Sequence, residues 1–501
     1  MDARNPEGRP ASLSEPPALR VKHIERVEGW GMAVGGLSHV FRPVDAEGVR
    51  AVFDLARSEG RSVGLRGGGN SYGDAAMNTG GIVLDLSRMD KVLAWDPATG
   101  LIDVEPGVTI ERLWKTIIGD GWWPAVVSGT MFTTMGGCAA MNIHGKNNYK
   151  VGTFGDQVVE FDLVTPAGDG GPLTVTRESD PDLFHGAISG FGMLGCFTRL
   201  RLKTKRVHSG LLRVEAFDTR SVGEMIESFE ERAAEADYLV GWIDCIKGGR
   251  GLGRGIVHRA NYLAPGEDPD GALTLAVAAQ GLPDKIMGLF PKSLMHLMLR
   301  PFCNNLGMRL INAAKFHASV LHPRSVVYLQ SHTAFAFLLD YVPNWKFAYK
   351  PGGLIQYQSF IPKEAAESAF EEQLRIAQGA GLPPYLGVFK KHRPDPFLLT
   401  HAVDGYSLAL DFRVTRRNRV RLWHLAEELD RVVLDHGGRF YFAKDATLRP
   451  DVARSFLPPE NLRTFAALKR RCDPENLLQT DLSRRLFGPD LAATMEAAGR
   501  Q

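Results

Sequence analysis

The residue types between Gly64 and Asp74 could hold a phosphate group. This segment reads GLRGGGNSYGD and follows an amphipathic pattern from Val49 to Leu55 and a strand-like position at Val63. Glycine adopts backbone angles that are closed to other residues, so successive N–H groups can point into one concavity that suits phosphate oxygens. An ordinary surface turn is the alternative interpretation, and this segment alone favours neither.

Two further segments are rich in small residues. They are 128–137 (SGTMFTTMGG), which runs into 139–148 (AAMNIHGKNN), and 189–195 (SGFGMLG). Three such segments indicate that a large ligand approaches the backbone closely. A dinucleotide fingerprint with its acidic ribose-binding residue is missing after the first predicted strand, and no Gly-Lys-Ser/Thr of a Walker loop follows the glycines.

The elements that must position these segments form an α+β pattern. Strands and helices alternate from 38 to 202, with hairpins predicted at 92–106 and 158–176 and a helix that begins after Thr109. Farther along, the pattern predicts strands at 239–246, 325–330, 353–362, 406–412 and 439–444, a helix at 417–436 and a helical tail from 458 to 486. Gln356 and Gln358 fall on one face of a strand, because side chains alternate with period two, so both amides are expected to point at one pocket.

An apolar and basic segment runs from Pro283 to Phe316. Basic residues such as Lys292, Arg309 and Lys315 are interspersed there among leucines, methionines and phenylalanines. A core helix or a packed lid is the simplest interpretation. The alternative is an interfacial helix that lies on a membrane or lines the entry path of a lipid-like substrate.

Bulk composition is typical of a soluble globular protein. The 501 residues include 44% hydrophobic and 23% charged residues, with a formal net charge of +2. This small charge argues against broad electrostatic binding to nucleic acid. Five scattered cysteines without a CxxC pair suit a reducing compartment and predict neither disulfides nor a metal site. We find no secretory signal and no apolar run of ~20 residues, so a cytoplasmic location is expected.

The motifs, taken in order, resemble a known family. They are GGGNSYGD at 67–74, IHGKN at 143–147, GxIQYQ at 353–358, VFK at 388–390, LDF at 410–412, YFAKD at 441–445 and DPENLLQTDLSRRL at 473–486. This arrangement resembles the FAD-dependent oxidoreductases of the vanillyl-alcohol oxidase superfamily, and more narrowly the family of decaprenylphosphoryl-β-D-ribose 2'-oxidases. The similarity extends from Gly29 to Arg485.

The resemblance implies a fold and a domain order. The expected fold is α+β, with a PCMH-type FAD-binding domain of two α/β subdomains and a substrate-binding cap domain built on an antiparallel sheet with flanking helices. We expect a disordered tail at 1–28, the FAD-binding domain at 29–206 and the cap domain at 207–436. A C-terminal segment at 437–501 is expected to return to the FAD-binding domain.

The resemblance also implies roles for individual residues. The expected FAD-binding residues are Arg66, Gly67, Gly68, Gly69, Asn70, Ser71, Tyr72, Gly73, Asp74, Gly129, Thr134, Met135, Gly136, Gly137, Met141, Asn142, Ile143, His144, Phe197 and Tyr441. The expected substrate-binding residues are Lys146, Gln356, Gln358 and Lys390, and the expected catalytic residues are Lys444, His144 and Tyr72.

Lys444 is the strongest catalytic candidate. A fixed cation stabilises the negative charge that develops on the flavin's pyrimidine edge during hydride transfer. Desolvation would lower the pKa of its ammonium group, which would help it to remove a hydroxyl proton. The alternative is an exposed lysine paired with Asp445. His144 could likewise be a structural histidine, and Tyr72 could simply pack.

Three positions depart from the family pattern. Asn70 stands where many members of the superfamily carry the histidine that links FAD covalently, so dissociable FAD is expected. Ala409 and Ser407 stand where the ribose oxidases carry a pocket cysteine and an asparagine. The pocket beside the flavin is therefore altered, and the identity of the substrate stays open.

The resemblance implies that the protein oxidises a secondary hydroxyl of a sugar or polyol by hydride transfer to FAD. One candidate substrate is ribose linked to a polyprenyl phosphate, which would be oxidised at its 2' position. The alternatives are a lipid or sterol double-bond reductase, a soluble alditol-type oxidase, and a binding protein that keeps FAD only as a structural element. A short-chain reductase that completes an epimerisation is an expected partner. Residues 283–316 are expected to contact the inner face of the membrane peripherally.

Overall fold

The computed structural model describes residues 19–168, 171–282, 285–286, 290–321 and 327–500. Its first sheet has the strand order Ile24–Glu28, Gly35–Phe41, Ile82–Asp85 and Val63–Arg66. The first two strands pair antiparallel with each other. The strand Ile82–Asp85 pairs parallel with both of its neighbours. The strand Ile24–Glu28 corrects the expected tail boundary at 28, because a paired backbone ladder is already present there. Residues 1–18 of that tail lie outside the described residues.

The second sheet is antiparallel throughout. Its strand order is Val92–Asp96, Leu101–Val104, Cys196–Lys203, Val158–Val164 and Leu173–Thr176. The hydroxyl of Thr109 accepts a hydrogen bond from the N–H of Arg112, which confirms the predicted helix start. The glycine run 67–69 of the first glycine-rich segment follows the strand Val63–Arg66 of the first sheet, and the segment 189–195 precedes the strand Cys196–Lys203 of the second.

A large third sheet contains eight antiparallel strands. Their order is Tyr328–Ser331, Leu211–Thr219, Gly255–Tyr262, Tyr238–Ile243, Leu386–His392, Gly405–Arg413, Leu354–Pro362 and Arg439–Phe440. The central strands are buried on both faces, as shown by Tyr238–Ile243 and Gly405–Arg413. One face packs on helices, and the other faces the glycine-rich loops.

The α-helices cover these sheets and close the fold. They are Ala46–Ser58, Ile110–Ile117, Met135–Ala140, Asn148–Val151, Pro181–Ala187, Val222–Ala233, Gly271–Thr274, Met295–Leu299, Asn305–Leu321, His332–Ala336, Ala366–Gly379, Arg419–Asp435, Pro450–Ser455, Pro459–Cys472, Asp481–Phe487 and Leu491–Gly499. Among the described residues, no helix is both long enough and apolar enough to cross a membrane.

The C-terminal segment returns to the first sheet. The N–H of Val63 donates to the carbonyl of Leu477 at 2.8 Å, and the N–H of Gln479 donates back to the carbonyl of Val63 at 2.9 Å. The predicted helical tail is two helices, because the chain between them folds around the carboxylate of Asp473, which accepts the N–H groups of Leu477 and Leu478.

Two further predictions of secondary structure need correction. The strand predicted at 439–444 ends at Phe440, and Lys444 lies in the turn that follows. The segment 283–316 is not one helix: its described part contains the short helix Met295–Leu299 and most of the helix Asn305–Leu321, separated by Pro301. Residues 283–284 and 287–289 of this segment lie outside the described residues.

Candidate active site

A cavity of about 640 Å³ lies between the glycine-rich loops and the large sheet. Its lining includes residues of the first glycine turn, the loop that contains His144, the large sheet and the turn that contains Lys444. The fold therefore brings residues from both ends of the chain to one site.

The first glycine turn presents free amides to this cavity. The backbone N–H groups of Gly69, Asn70 and Ser71 make no hydrogen bond to any residue that the structure describes. Gly69 has a φ of +65°, and a Cβ atom at Gly67 would lie 2.2 Å from the hydroxyl oxygen of Thr134. Adjacent unpaired amides in a turn that leaves no room for side chains fit the diphosphate of FAD.

Most of the predicted site residues line the cavity. They include Lys444, His144, Tyr72, Lys146, Gln356, Gln358, Lys390, Arg66, Gly67, Gly68, Gly69, Asn70, Ser71, Gly129, Thr134, Gly136, Gly137, Met141, Ile143, Phe197 and Tyr441. The resemblance therefore selected residues that the fold gathers in one place.

Four predicted FAD-binding residues do not line the cavity. Asp74 forms a hydrogen-bonded ion pair with Arg485 at 2.7 Å, and a Cβ atom at Gly73 would lie 1.7 Å from the carbonyl oxygen of Asp445. These two residues instead join the first glycine turn to the C-terminal segment.

The other two residues, Met135 and Asn142, have structural positions. Met135 is fully buried in the hydrophobic core. Asn142 is also buried, and its side chain bridges the N–H of Gly155 at 2.8 Å and the carboxylate of Asp395 at 3.3 Å. Their side chains therefore stabilise the loop that carries His144. The residues next to them in the sequence, such as Thr134 and Met141, line the cavity instead.

Four lysines line the cavity with few counter-charges. Lys146, Lys315, Lys390 and Lys444 contribute to its wall, together with Arg66, His144 and His258, and no Asp or Glu of the described chain does. Desolvation lowers the pKa of Lys146 to about 7 and that of Lys390 to about 8. A cavity with this excess of cationic groups favours an anionic ligand.

Lys444 lies over the ring of Tyr72. Its Nζ atom is 3.9 Å from the ring centroid, a cation–π contact. Desolvation lowers the pKa of Lys444 to about 7, although the nearby carboxylate of Asp411 opposes this change. The alternative interpretation of an ion pair with Asp445 is wrong, because Asp445 pairs with Arg485 at 2.8 Å.

Asp411 is a buried acidic residue whose charge acts on this lysine. One of its oxygens accepts a 2.6 Å hydrogen bond from the side-chain amide of Gln356, and the other has no hydrogen-bond partner among the described residues. Desolvation raises the pKa of Asp411 to about 7. Gln356 and Gln358 line the same cavity, which confirms the predicted strand face.

His144 lies between two polar side chains. Its Nδ1 atom is 3.4 Å from the Nζ atom of Lys390, and its Nε2 atom is 3.2 Å from the side-chain amide of Gln358. Burial first, and the charge of Lys390 second, hold the pKa of His144 well below its usual range, so the ring is neutral. The amide nitrogen of Gln358 faces this Nε2 atom, so a neutral ring that accepts from Lys390 and carries its proton on Nε2 needs the Gln358 amide flipped, with its oxygen toward the ring.

Many lining residues were not predicted as site residues, among them Trp242, His258 and Lys315. Val240 lies opposite His258 in the sheet, and Trp242 lies opposite Val388. Strand alternation could have placed Trp242 and His258 on one face, whereas no sequence signal brings the helix that carries Lys315 to that face.

The class of protein follows from this geometry together with the family comparison. The family described as "FAD binding domain" matches residues 37–170. These residues supply the amide turn and the His144 loop, and the protein is an FAD-dependent oxidoreductase.

Comparison with individual proteins narrows the class. Decaprenylphosphoryl-β-D-ribose oxidase of Mycolicibacterium smegmatis is 31% identical over 92% of this chain and 97% of its own length. The chain belongs to this family of oxidases, which confirms the resemblance found in its motifs. L-gulonolactone oxidase of Bos taurus is 27% identical over 43% of this chain and 47% of its own. Cytokinin dehydrogenase 5 of Oryza sativa subsp. japonica is 28% identical over 42% of both chains.

Proposed function

We propose that this protein oxidises a secondary hydroxyl of a sugar that is linked to a polyprenyl phosphate, with the 2'-hydroxyl of ribose as the first candidate. The observation that carries this proposal is a cavity that joins a turn of free amides to four lysines and has no acidic residue in its described lining. The name of the Mycolicibacterium smegmatis relative supports the ribose and the lipid phosphate.

Gly69, Asn70 and Ser71 would hold the diphosphate of FAD through their free amides. The cofactor, when bound, would supply a hydride acceptor for the carbon that carries the hydroxyl. Lys444 supplies a fixed positive charge in the cavity, held in place by the ring of Tyr72, and the charge of Asp411 raises the pKa of this lysine. Such a preorganised charge stabilises a transition state without reorganising during the reaction.

His144 orients its neighbours and does not take the hydroxyl proton. Both of its ring nitrogens are occupied, one by Lys390 and the other by Gln358. Lys390 and Gln358 are therefore the groups of this set that remain to contact the sugar. Lys444 acts as the protonated ammonium group in this proposal and cannot accept the hydroxyl proton, which is released to solvent.

FAD is bound without a covalent link in this proposal. The side-chain amide of Asn70 donates to the carbonyl oxygens of Gly68 and Phe132, at 3.2 and 2.9 Å. An amide used in this way stabilises the turn and cannot form the bond that a histidine forms at this position. Acid precipitation should therefore release free flavin into the supernatant, and flavin that stays with the protein would contradict a dissociable cofactor.

The protein contacts a membrane through the segment 290–321 in this proposal. Leu297, Phe302, Leu306 and Leu310 are 53, 49, 69 and 60% exposed, and basic residues such as Arg300 and Arg309 lie among them. An apolar surface flanked by basic residues fits the headgroup region of an anionic bilayer. The helix Asn305–Leu321 also carries Lys315 into the cavity, so a lipid-linked substrate could pass from membrane to site along this helix. The short-chain reductase partner stays a prediction.

Anaerobic reduction of the flavin tests the proposed reaction. The purified protein, loaded with FAD, is mixed with a polyprenyl-phosphoryl ribose, and the flavin absorbance is followed. Bleaching by the sugar lipid supports the proposal. Bleaching by NAD(P)H, with none by hydroxylated lipids, would favour the double-bond reductase instead.

A further inference from the structure

We propose that Lys315, His258 and Lys146 form a phosphate-binding subsite at the end of the cavity that lies away from Lys444. The identity of its ligand as the phosphate ester of a sugar rests on the proposed function. The binding of phosphate itself rests on the geometry of these three residues.

Lys315 reaches the cavity over an aromatic ring. Its Nζ atom is 4.1 Å from the centroid of the Trp242 ring, and Lys315 lines the cavity and is accessible. Among the described residues, no carboxylate pairs with this ammonium group. Contact with the face of a ring leaves the ammonium N–H groups free to donate to a phosphate oxygen.

A buried network fixes the helix that carries Lys315. The side-chain amide of Asn312 donates to the carboxylate of Asp244 at 3.1 Å, and Asp244 pairs with Arg254 at 2.8 Å. The guanidinium of Arg254 stacks on the ring of Phe316 at 4.4 Å. The contacts of Asn312 and Phe316, which flank Lys315 in the sequence, thus fix this part of the helix. Lys315 is therefore positioned before a ligand binds, which lowers the entropic cost of binding.

His258 faces the same part of the cavity. Its strand is adjacent to that of Trp242, and its side chain makes no hydrogen bond within the described part of the chain. Desolvation first, and then the charges of Lys315 and Lys146, lower the pKa of His258 to about 4. His258 lines the same cavity as Lys315 and Lys146, and a phosphate bound there would offset the repulsion between the two lysines.

The spacing suits a sugar phosphate. Val240 lies opposite His258, and its neighbour Gly241 lies opposite Phe389, so His258 and Lys390 are in one row two strands apart. Two strand spacings correspond to roughly 10 Å between their backbones. Lys146 also lines the cavity, where its Nζ atom donates to the carbonyl oxygens of Phe335 and Ala336, which leaves one ammonium N–H for a ligand. A sugar can therefore lie against Lys390 while its phosphate lies against His258.

Calorimetric titration of the FAD-loaded protein tests this subsite. The probes are ribose 1-phosphate, ribose and inorganic phosphate. We expect Lys315→Met to weaken binding of ribose 1-phosphate by about 10-fold or more, the effect of losing one charge-assisted hydrogen bond, and to leave ribose unaffected. Arg309→Met removes the same charge from the exposed face of the same helix and should change binding less than 2-fold.

The three probes separate the possible ligands. Tighter binding of ribose 1-phosphate than of inorganic phosphate supports a sugar ester as ligand, whereas the reverse order overturns that assignment. Unchanged binding in Lys315→Met, or equal weakening in Arg309→Met, overturns the subsite. Flavin content and thermal unfolding of both variants show whether they are folded.

Different experimental results would refute the subsite and the proposed reaction. Loss of sugar phosphate binding in Lys315→Met, without flavin reduction by any ribose lipid, would support the subsite and refute the reaction. Flavin reduction by the ribose lipid, with equal affinity for ribose and ribose 1-phosphate, would support the reaction and refute the subsite. A second variant, His258→Gln, should weaken phosphate binding in the same direction as Lys315→Met.

Discussion

Lys444 and Tyr72 meet in a cation–π contact of 3.9 Å, although one residue follows the last strand of the large sheet and the other follows the first glycine turn. The N–H of Tyr72 also donates to the carbonyl of Ala443 at 2.9 Å. This pairing fixes the position of the cationic side chain relative to the turn that fits the FAD diphosphate. The chemistry of the site depends on this junction.

Removal of the ammonium group should impair flavin reduction and leave cofactor binding intact. We expect Lys444→Ala to bind FAD and to reduce it at least ~100-fold more slowly, as other enzymes respond to losing one charge-stabilising group. Anaerobic stopped-flow absorbance measures the rate. A near-normal rate in a variant with full flavin content would refute the role of Lys444.

The rate of flavin reduction should also depend on pH. Desolvation lowers the pKa of Lys444 to about 7, so its charge is present below that pH and is lost as the pH rises through it. If the cation is required, the rate falls above pH 7. Asp411→Asn removes the negative charge that raises this pKa, and should move the fall to lower pH. A profile that is identical in both proteins would contradict the coupling of Asp411 to Lys444.

The glycine turn should tolerate no side chain. A Cβ atom at Gly69, where φ is +65°, would lie 2.2 Å from the Arg66 guanidinium. We therefore expect Gly69→Ala to lose most of its flavin, as measured by the ratio of flavin to protein absorbance. Gly60→Ala is the matched control, because Gly60 also has a positive φ of 58° but has nothing within 4 Å of the added Cβ atom. Equal flavin loss in both variants would show that backbone strain alone is responsible.

A buried ion pair should stabilise the C-terminal segment. The Nζ atom of Lys469 lies 2.5 Å from Asp473 and also donates to the carbonyl oxygens of Met193 and Leu478. Lys469→Met leaves a buried carboxylate without its partner and should cost about 3 kcal/mol in the free energy of unfolding. Lys115→Met breaks the exposed pair with Glu111 and should cost less than about 0.5 kcal/mol. Denaturant unfolding measures both, and similar values would contradict this explanation.

The exposed apolar surface should mediate membrane binding. Leu306→Asp combined with Leu310→Asp should abolish co-sedimentation with vesicles that contain anionic lipid and leave flavin content unchanged. Val420→Asp is the control, because Val420 is also 69% exposed but lies on the helix Arg419–Asp435. Persistent binding of the double variant, or equal loss in the control, would contradict a specific membrane surface.

Much of the fold was predictable because its signals are local. The hydroxyl of Thr109 begins a helix, and the period-two spacing of Gln356 and Gln358 places both amides in the cavity. The strand predicted to continue to Lys444 was wrong, because the backbone turns after Phe440 to reach the first glycine turn. In that turn the carbonyl of Ala443 accepts a hydrogen bond from Tyr72, which is far away in the sequence. A local sequence pattern carries no information about such a contact.

The sequence by itself determined the family and the cofactor, because glycine turns and motif order are encoded in neighbouring residues. It also predicted site residues of which most line the cavity. Only the tertiary structure decided that Asp74 binds Arg485 and lies outside the cavity. It also decided that Lys315 reaches the ring of Trp242 in the cavity that His258 lines. The physical reason is that these contacts join residues far apart in the chain, whose meeting depends on how helices and strands pack.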